Sequence, residues 1–416
     1  MVKCNVDLFQ FGLTSKASYI IEGSMRKIVF TEEFCTPGNL FPFTMTRQIQ
    51  DIRIGILTIR EKWETYLGTC SYDKFEDDYK DLERSVRINE VIGDATFYLI
   101  HGNVLPTKKI AKQVKKLKPG EFLSVPEKES FVYCLSKREV VDENNIKVGK
   151  PVEMEDDLKE IKYPWNIFNL NAWAIEQDFE LLTSDRKSQK ISGTNNVNNP
   201  SNVFIEKGAQ VECSYLNASE GPIYIGKDAL VMEGAMLRGP LAICEGAVVK
   251  MGTKLYSGTT VGPKCTVGGE IKNSVLFGYS NKAHDGYMGD AVVGEWCNWG
   301  AGTSNSNLKN NASAIEVWTL RGAVNVGLKC GVLMGDYSRT AINTSINTGT
   351  VVGICANVFG NGLTPKYIPS FSWGSDGLQR YELEKAFTDI NNWKLLKGNA
   401  LTSTEKTILK HIFDHY

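Results

Sequence analysis

Only four of the 416 residues are histidine: His101, His284, His411 and His415. Histidine is the side chain that ordinarily exchanges protons near neutral pH, so these four bound the choices for acid–base chemistry. His411 and His415 lie close to the C-terminus, and His101 follows an apolar run (residues 96–100, TFYLI) and reads as structural. His284 keeps different company. Within residues 269–290 (GEIKNSVLFGYSNKAHDGYMGD) it is joined by Lys272, Tyr287 and Asp290. An imidazole can take a proton from an ammonium nucleophile, and a lysine ammonium holds a phosphate as a compact point charge. The ten cysteines are scattered without a Cys-x-x-Cys pair. They read as free thiols in a reducing, cytoplasmic setting, not as a disulfide frame or a zinc site.

These residues need a frame, and the flanking sequence supplies one. Aliphatic residues recur at every sixth position: Ile225, Val231, Leu237, Ile243, Val249, Leu255, Val261 and Val267. Four residues after each of the first seven come Ala229, Ala235, Leu241, Ala247, Thr253, Thr259 and Cys265, six of them small. Neither a period of 3.6 nor one of 2 produces this. A hexad repeat fits a solenoid in which three flat faces make a coil, the aliphatic residue points inward and the small one sits beside a corner. The expected fold of this half is a left-handed parallel β-helix. The pattern resumes at Met288-Gly289, Val293-Gly294, Trp299-Gly300, Val326-Gly327 and Val352-Gly353. Residues 269–290 and 303–321 break the strict period and read as loops on a rigid scaffold, where function is usually placed.

The N-terminal part has another texture. Residues 27–30 and 96–100 read as strands, 54–66 (IGILTIREKWETY) as a helix, and 171–182 (NAWAIEQDFELL) as a second helix capped by Asn171. Strands alternating with helices imply an α/β layer domain. The polar stretch 184–202 (SDRKSQKISGTNNVNNPSN) reads as a linker. Three parts follow: an α/β domain over 1–190, a β-helix over 191–368, and a helical tail over 369–416 with helices at 377–387 and 402–415. The net charge of −1, from 47 Lys and Arg against 48 Asp and Glu, excludes a generic nucleic-acid binder, and 42% hydrophobic residues exclude wholesale disorder. The first residues (MVKCNVDLFQFGLTSKASY) do not read as a secretory signal, and no stretch approaches the roughly 18 apolar residues of a membrane helix.

Residues 272–302 (KNSVLFGYSNKAHDGYMGDAVVGEWCNWGAG) resemble the acetyltransferase domain of the bifunctional enzymes that make UDP-N-acetylglucosamine. Those carry a Lys, then His-x-x-Tyr-x-Gly-Asp, then Asn-x-Gly-Ala-Gly-Thr, then an Asn. The segments LFPFTMTRQIQDIRIGILTIREKW, YPWNIFNLNAWAIEQDFELLT, YSNKAHDGYMGD, INTGTVVG and IPSFSWG extend the resemblance to a divergent branch, the UDP-N-acetylglucosamine diphosphorylase/glucosamine-1-phosphate N-acetyltransferase family. The resemblance implies that His284 is the general base on the amine of glucosamine 1-phosphate. It implies that Lys272 binds the sugar phosphate, that Tyr287 and Asn298 bind the sugar, and that Ala301 and Asn307 lie along the path of acetyl-CoA. It also implies a homotrimer with the groove between subunits. The family's phosphate-binding Arg has no counterpart: Tyr256 is nearest in register and Arg238 is the substitute on offer. Leu308 stands where the family often has Tyr.

For the first domain the resemblance implies uridylyl transfer from UTP with Mg²⁺. Residues 40–47 (LFPFTMTR) look like the Pro-Leu-Thr part of a sugar nucleotidyltransferase, but residues 34–39 (FCTPGN) are not a Gly-rich phosphate loop and Gln48-Ile49 replace Pro-Lys. Asn103 takes the place of the Mg²⁺-binding Asp, a weaker and neutral oxygen ligand. Arg47, Arg53, Arg60 and Lys62 are the candidates for phosphate contacts; a solvated basic face would look similar. Two other readings remain: a sugar-1-phosphate nucleotidyltransferase with the β-helix as an oligomerisation scaffold, and a non-catalytic nucleotide-binding or assembly protein.

Overall fold

The computed structural model describes residues 26–32, 35–72, 96–125, 131–136, 139–142, 145–146 and 149–416. The N-terminal domain is built on a five-stranded sheet in the order Lys27–Thr31, Phe97–His101, Val132–Leu135, Glu121–Ser124, Lys150–Glu153. Its first pair is parallel, the next two antiparallel and the last parallel. Phe97–His101 (FYLIH) is buried at every position, as a strand covered on both faces must be. Helix α1 spans Ile59–Leu67 and starts five residues later than its sequence suggests, because Thr58 caps it in a capping box with Glu61. Gly55, at φ +76°, turns the chain just before. Helix α2 spans Lys108–Lys116 and α3 spans Pro164–Thr183. Proline at the first position of α3 supplies the start, where a missing N–H costs nothing. Asn171 is therefore not a cap but a fully buried residue in the middle of α3.

The hexads form a parallel β-solenoid of three faces. One face has six strands, from Asn196–Asn198 to Tyr287–Gly289; the longest has nine, from Val203–Ile205 to Tyr367–Ile368; the third has five, from Gln210–Val211 to Asn281–Lys282. Asn196–Asn198 lies inside the stretch read as a linker and pairs with Tyr215–Asn217. All eight periodic aliphatic residues and their partners from Ala229 to Cys265 are buried. One corner is turned by residues with positive φ in successive coils, among them Asp228 (54°), Lys264 (57°), Tyr279 (55°) and Trp296 (59°). Such geometry costs a non-glycine residue roughly 1–2 kcal/mol, and stacking coil on coil holds it.

Two sequence readings of the solenoid change. Residues 269–290 are no excursion: they carry four solenoid strands, and the coil is only shortened, Val267 pairing with Lys282 where Ile225, Ile243 and Val261 keep a spacing of 18. The true insertion comes later. Val293 pairs with Met334, 41 positions on; the intervening chain continues the coil through Asn298 and Ser304–Asn305 and then forms an arm with the hairpin Glu316–Thr319 and Gly322–Asn325. Val326 thus packs at the foot of the arm, not in the solenoid column. Trp318 on the arm stacks on Tyr367 at 3.7 Å and meets Phe41 edge-on at 5.5 Å.

The nine-stranded face is buried on its outer side as well. Phe204, Tyr224, Ala242 and Cys244 pack against Ile56, Leu57, Ile175 and Leu182, and Phe43 lies 5.1 Å from Phe277. The tail packs back along the same body. Helix α4 spans Leu383–Leu395, beyond the expected 377–387, since Gly377 takes φ +72° and Glu382 precedes the first turn. Helix α5, Ser403–His415, follows its Thr402 capping box as expected. Among the described residues no helix is long and apolar enough to cross a membrane.

Candidate active site

The shortened coil places the candidate residues on two adjoining faces and the corner between them. Lys272 ends one strand of the six-stranded face, in register with Gly289, and Glu270 pairs with Tyr287. Lys272 is exposed and Tyr287 half-buried. Tyr287 Oη accepts from Asn307 Nδ2 at 3.1 Å, and the same amide donates to Asp290 Oδ2 at 2.6 Å. Asp290 is 5% exposed and takes a second amide, Asn273 Nδ2, at 2.7 Å. Burial, Asp290 and Glu270 push the Tyr287 pKa up, so this side chain stays a neutral phenol with a proton to donate. The sequence offered Asp290 as part of a motif; its work as the anchor of Asn307 emerges only here.

His284 stands at the corner between Asn281–Lys282 and Tyr287–Gly289, exposed, with no side-chain hydrogen bond among the described residues. Ala301 occupies the same corner one coil on: Gly302 N–H donates to Asp285 O at 3.1 Å and Asn343 N–H to Ala301 O at 2.7 Å. Asn298 flanks the corner on the other face, beside Asn281 and Arg339. Lys272, Tyr287 and Asn307 thus lie on one face, His284 and Ala301 at its corner in successive coils, and Asn298 on the adjoining face. It does not bring Arg238 to them. Arg238 lies two strands from Lys272, roughly 10 Å across the sheet, paired with Glu220 at 2.8 Å, and the exposed Tyr256 occupies the register between. The other histidines are engaged elsewhere. Burial pushes the His101 pKa down to about 4, and His411 and His415 stack on each other on α5.

The basic residues of the first domain are turned toward carboxylates. Arg47 is 7% exposed; it donates to Asp336 at 2.6 Å, lies 3.6 Å from Glu295 and covers the ring of Phe277. It fastens the first domain to the solenoid. Lys62 is buried in an ion pair with Asp178, whose Oδ2 also accepts from the N–H groups of Ile56 and Leu57; burial lowers the lysine pKa and raises that of the aspartate. Arg60 grips Asp51 with two bonds of 2.6 and 2.9 Å. Arg53 donates to Ile56 O and lies 3.6 Å from Glu61, at the wall of an interdomain cavity of about 610 Å³. As a convergent phosphate cluster, the four do not assemble: each is held at a separate acidic partner. The sequence could not show this, because Asp336, Asp178 and Glu295 are distant in the chain.

Asn103 is 3% exposed and its Oδ1 has no hydrogen-bond partner among the described residues, beside a cavity of about 170 Å³ lined by Cys35, Asn39 and Tyr163. A hard cation wants several anionic oxygens. Among the described residues no cluster of three His, Cys, Asp or Glu could hold a metal. One neutral amide does not fit Mg²⁺. Phe34, in the segment standing where a Gly-rich loop would be, lies outside the described residues.

Comparison with known proteins agrees with this architecture. Residues 28–187 match the model of the family described as sugar nucleotidyl transferase. The chain is 30% identical over 213 residues to a bifunctional sugar-1-phosphate nucleotidylyltransferase/acetyltransferase of Sulfurisphaera tokodaii, covering 50% of this chain and 47% of that protein. It is 29% identical over 231 residues to the bifunctional protein GlmU of Methanococcus vannielii, covering 55% and 49%. A longer match, 25% identical over 316 residues, covers 71% of this chain and 70% of the GlmU of Methanococcus maripaludis strain C5. The chain spans about half the length of the first two. Residues 28–187 therefore carry a sugar nucleotidyl transferase domain, joined to a β-solenoid in a chain that is similar, over about half to seven tenths of its length, to bifunctional nucleotidylyltransferase/acetyltransferase proteins.

Proposed function

We propose that the chain is a transferase whose solenoid acetylates the amine of glucosamine 1-phosphate with acetyl-CoA. One observation carries this reading: an exposed imidazole, with no side-chain hydrogen bond among the described residues, stands on the solenoid corner that leads into the strand of Tyr287, whose hydroxyl is held in an ordered Tyr287–Asn307–Asp290 chain. In this reading Lys272 takes the sugar phosphate, and the Tyr287 hydroxyl and the Asn298 amide orient the sugar. The ammonium gives one proton to solvent, and His284 takes a second from the nitrogen as the amine attacks the thioester carbon. A backbone N–H near Ala301 steadies the oxyanion. Collapse of the tetrahedral intermediate breaks the C–S bond, and His284 returns its proton to the departing thiolate. General-base help of this kind is worth about 10²–10⁴-fold, and holding both substrates on one edge contributes further. The residues lie on an open edge, which a neighbouring subunit of a homotrimer would wall in.

We assign uridylyl transfer from UTP to the first domain on the strength of its family match and the names of its relatives. Arg47, Arg60 and Lys62 serve internal ion pairs in this reading, and Arg238 is left out of the sugar site. A cytoplasmic location accords with the nine free cysteines among the described residues. The test is CoA release dependent on glucosamine 1-phosphate. It should fall by about 10²–10⁴-fold in His284→Ala, and full activity in that variant would sink the assignment.

A further inference from the structure

On the five-stranded face the inward place is filled by valine, coil after coil: Val211, Val231, Val249 and Val267 pair in register. The next strand puts Lys282 at that place. The side chain is 2% exposed, with the buried Trp299 following in the next coil. An ammonium in an aliphatic column is costly to keep, and a sequence departs from its own pattern in this way chiefly where function requires it.

Its Nζ turns back to donate to the main-chain carbonyl of His284. Backbone accounting shows why that bond matters. Three other carbonyls of the turn accept from neighbouring coils: Lys282 O from Gly268 N–H at 2.7 Å, Asp285 O from Gly302 N–H at 3.1 Å and Gly286 O from Glu270 N–H at 3.1 Å. The carbonyl of His284 is served by the lysine. The preceding coil leaves room for the turn only because residues 268 and 269 are glycines; a Cβ on Gly269 would stand 3.0 Å from His284 O and 2.7 Å from Gly286 O. The imidazole makes no side-chain hydrogen bond among the described residues, so the backbone of the turn alone places it.

We propose that Lys282 is a positioning residue: from inside the solenoid core it holds the turn that carries His284, and so sets where the imidazole stands. Burial pushes its pKa down to about 8, with Asp285 pulling the other way, as expected of an ammonium kept in the core for one bond. The consequence for turnover rests on the acetyltransfer reading; the hold on the turn does not.

The test is Lys282→Met in the full chain, a side chain of similar length that suits an aliphatic column and cannot donate. Urea and thermal midpoints are expected to stay or rise, because an apolar group replaces a buried charge. Amide hydrogen exchange across residues 283–287 should quicken by at least about tenfold. CoA release should lose roughly ten- to a hundredfold in kcat, with KM for acetyl-CoA and glucosamine 1-phosphate within about twofold, since small misplacements carry penalties of that size. Wild-type exchange across 283–287 in a folded variant overturns the proposal, and so does a variant that fails to fold, since Lys282 would then be a stability element. A wild-type enzyme that releases no CoA overturns the acetyltransfer reading alone, and the exchange data still decide on Lys282.

Discussion

Truncating Asn171 to alanine should separate the two domains energetically. The residue is fully buried in α3, and its Oδ1 accepts from Gly55 N–H at 2.7 Å. Its Nδ2 donates to Gly258 O at 2.8 Å and to Thr260 Oγ1 at 3.0 Å, both in the solenoid. One amide thus ties the helix, the turn before α1 and the second domain. Thr260 retains a partner after truncation, because its hydroxyl also bonds Gly55 O at 2.9 Å. Gly55 N–H and Gly258 C=O do not, and each unsatisfied buried group costs about 1–3 kcal/mol. Alanine returns roughly 0.5 kcal/mol in helix propensity. The expected loss is about 3–4 kcal/mol, or two to three orders of magnitude in the opening equilibrium at ~1.4 kcal/mol per tenfold. Urea unfolding followed by hydrogen exchange, peptide by peptide, reads it directly. Residues 52–58 and 165–180 should open at lower urea than the solenoid hexads. Asn171→Asp should be at least as costly, since a carboxylate would face Gly258 O. An alanine variant within about 1 kcal/mol of wild type, with both domains still opening together, would refute the reasoning.

Two further outcomes can be checked. The folded protein keeps His101 neutral down to about pH 4, whereas the unfolded chain binds that proton below its ordinary 6.5; stability should therefore fall as pH drops through this window, by up to about 3 kcal/mol at 1.36 kcal/mol per pH unit, and His101→Gln should flatten that segment of a urea-midpoint profile. Asp290→Ala removes the acceptor shared by Asn273 and Asn307, so kcat/KM for CoA release should fall roughly ten- to a hundredfold; unchanged turnover would show that Asn307 needs no anchor.

The solenoid was legible because its cause is local and repeated. Each hexad buries one aliphatic side chain and turns one corner, so the period survives in the chain itself, and Ile225 to Val267 all lie in the core where the pattern puts them. The same locality made helix α5, expected at 402–415 and found at Ser403–His415, readable. Asn171 misled because asparagine suits a cap in isolation; only a solenoid packed against α3 turns its amide into a buried cross-link. The arm misled for a related reason: Val326-Gly327 carries the hexad signature, but the chain leaves the solenoid between Asn305 and Leu333, and Trp318 of its hairpin meets Phe41.

Composition and spacing by themselves determined the class of fold, the position of the coil that departs from the repeat, and His284 as the histidine that this coil carries. Only the tertiary structure decided which charges are available. Arg47, Lys62 and Arg60 look alike in sequence as phosphate ligands, yet Asp336, Asp178 and Asp51 neutralise them. Lys282, unremarked in the sequence, becomes the one residue of its column that carries a charge. The physical reason is the same throughout: a hydrophobic repeat acts through neighbours along the chain, whereas the fate of a charge depends on what the fold places within about 4 Å of it.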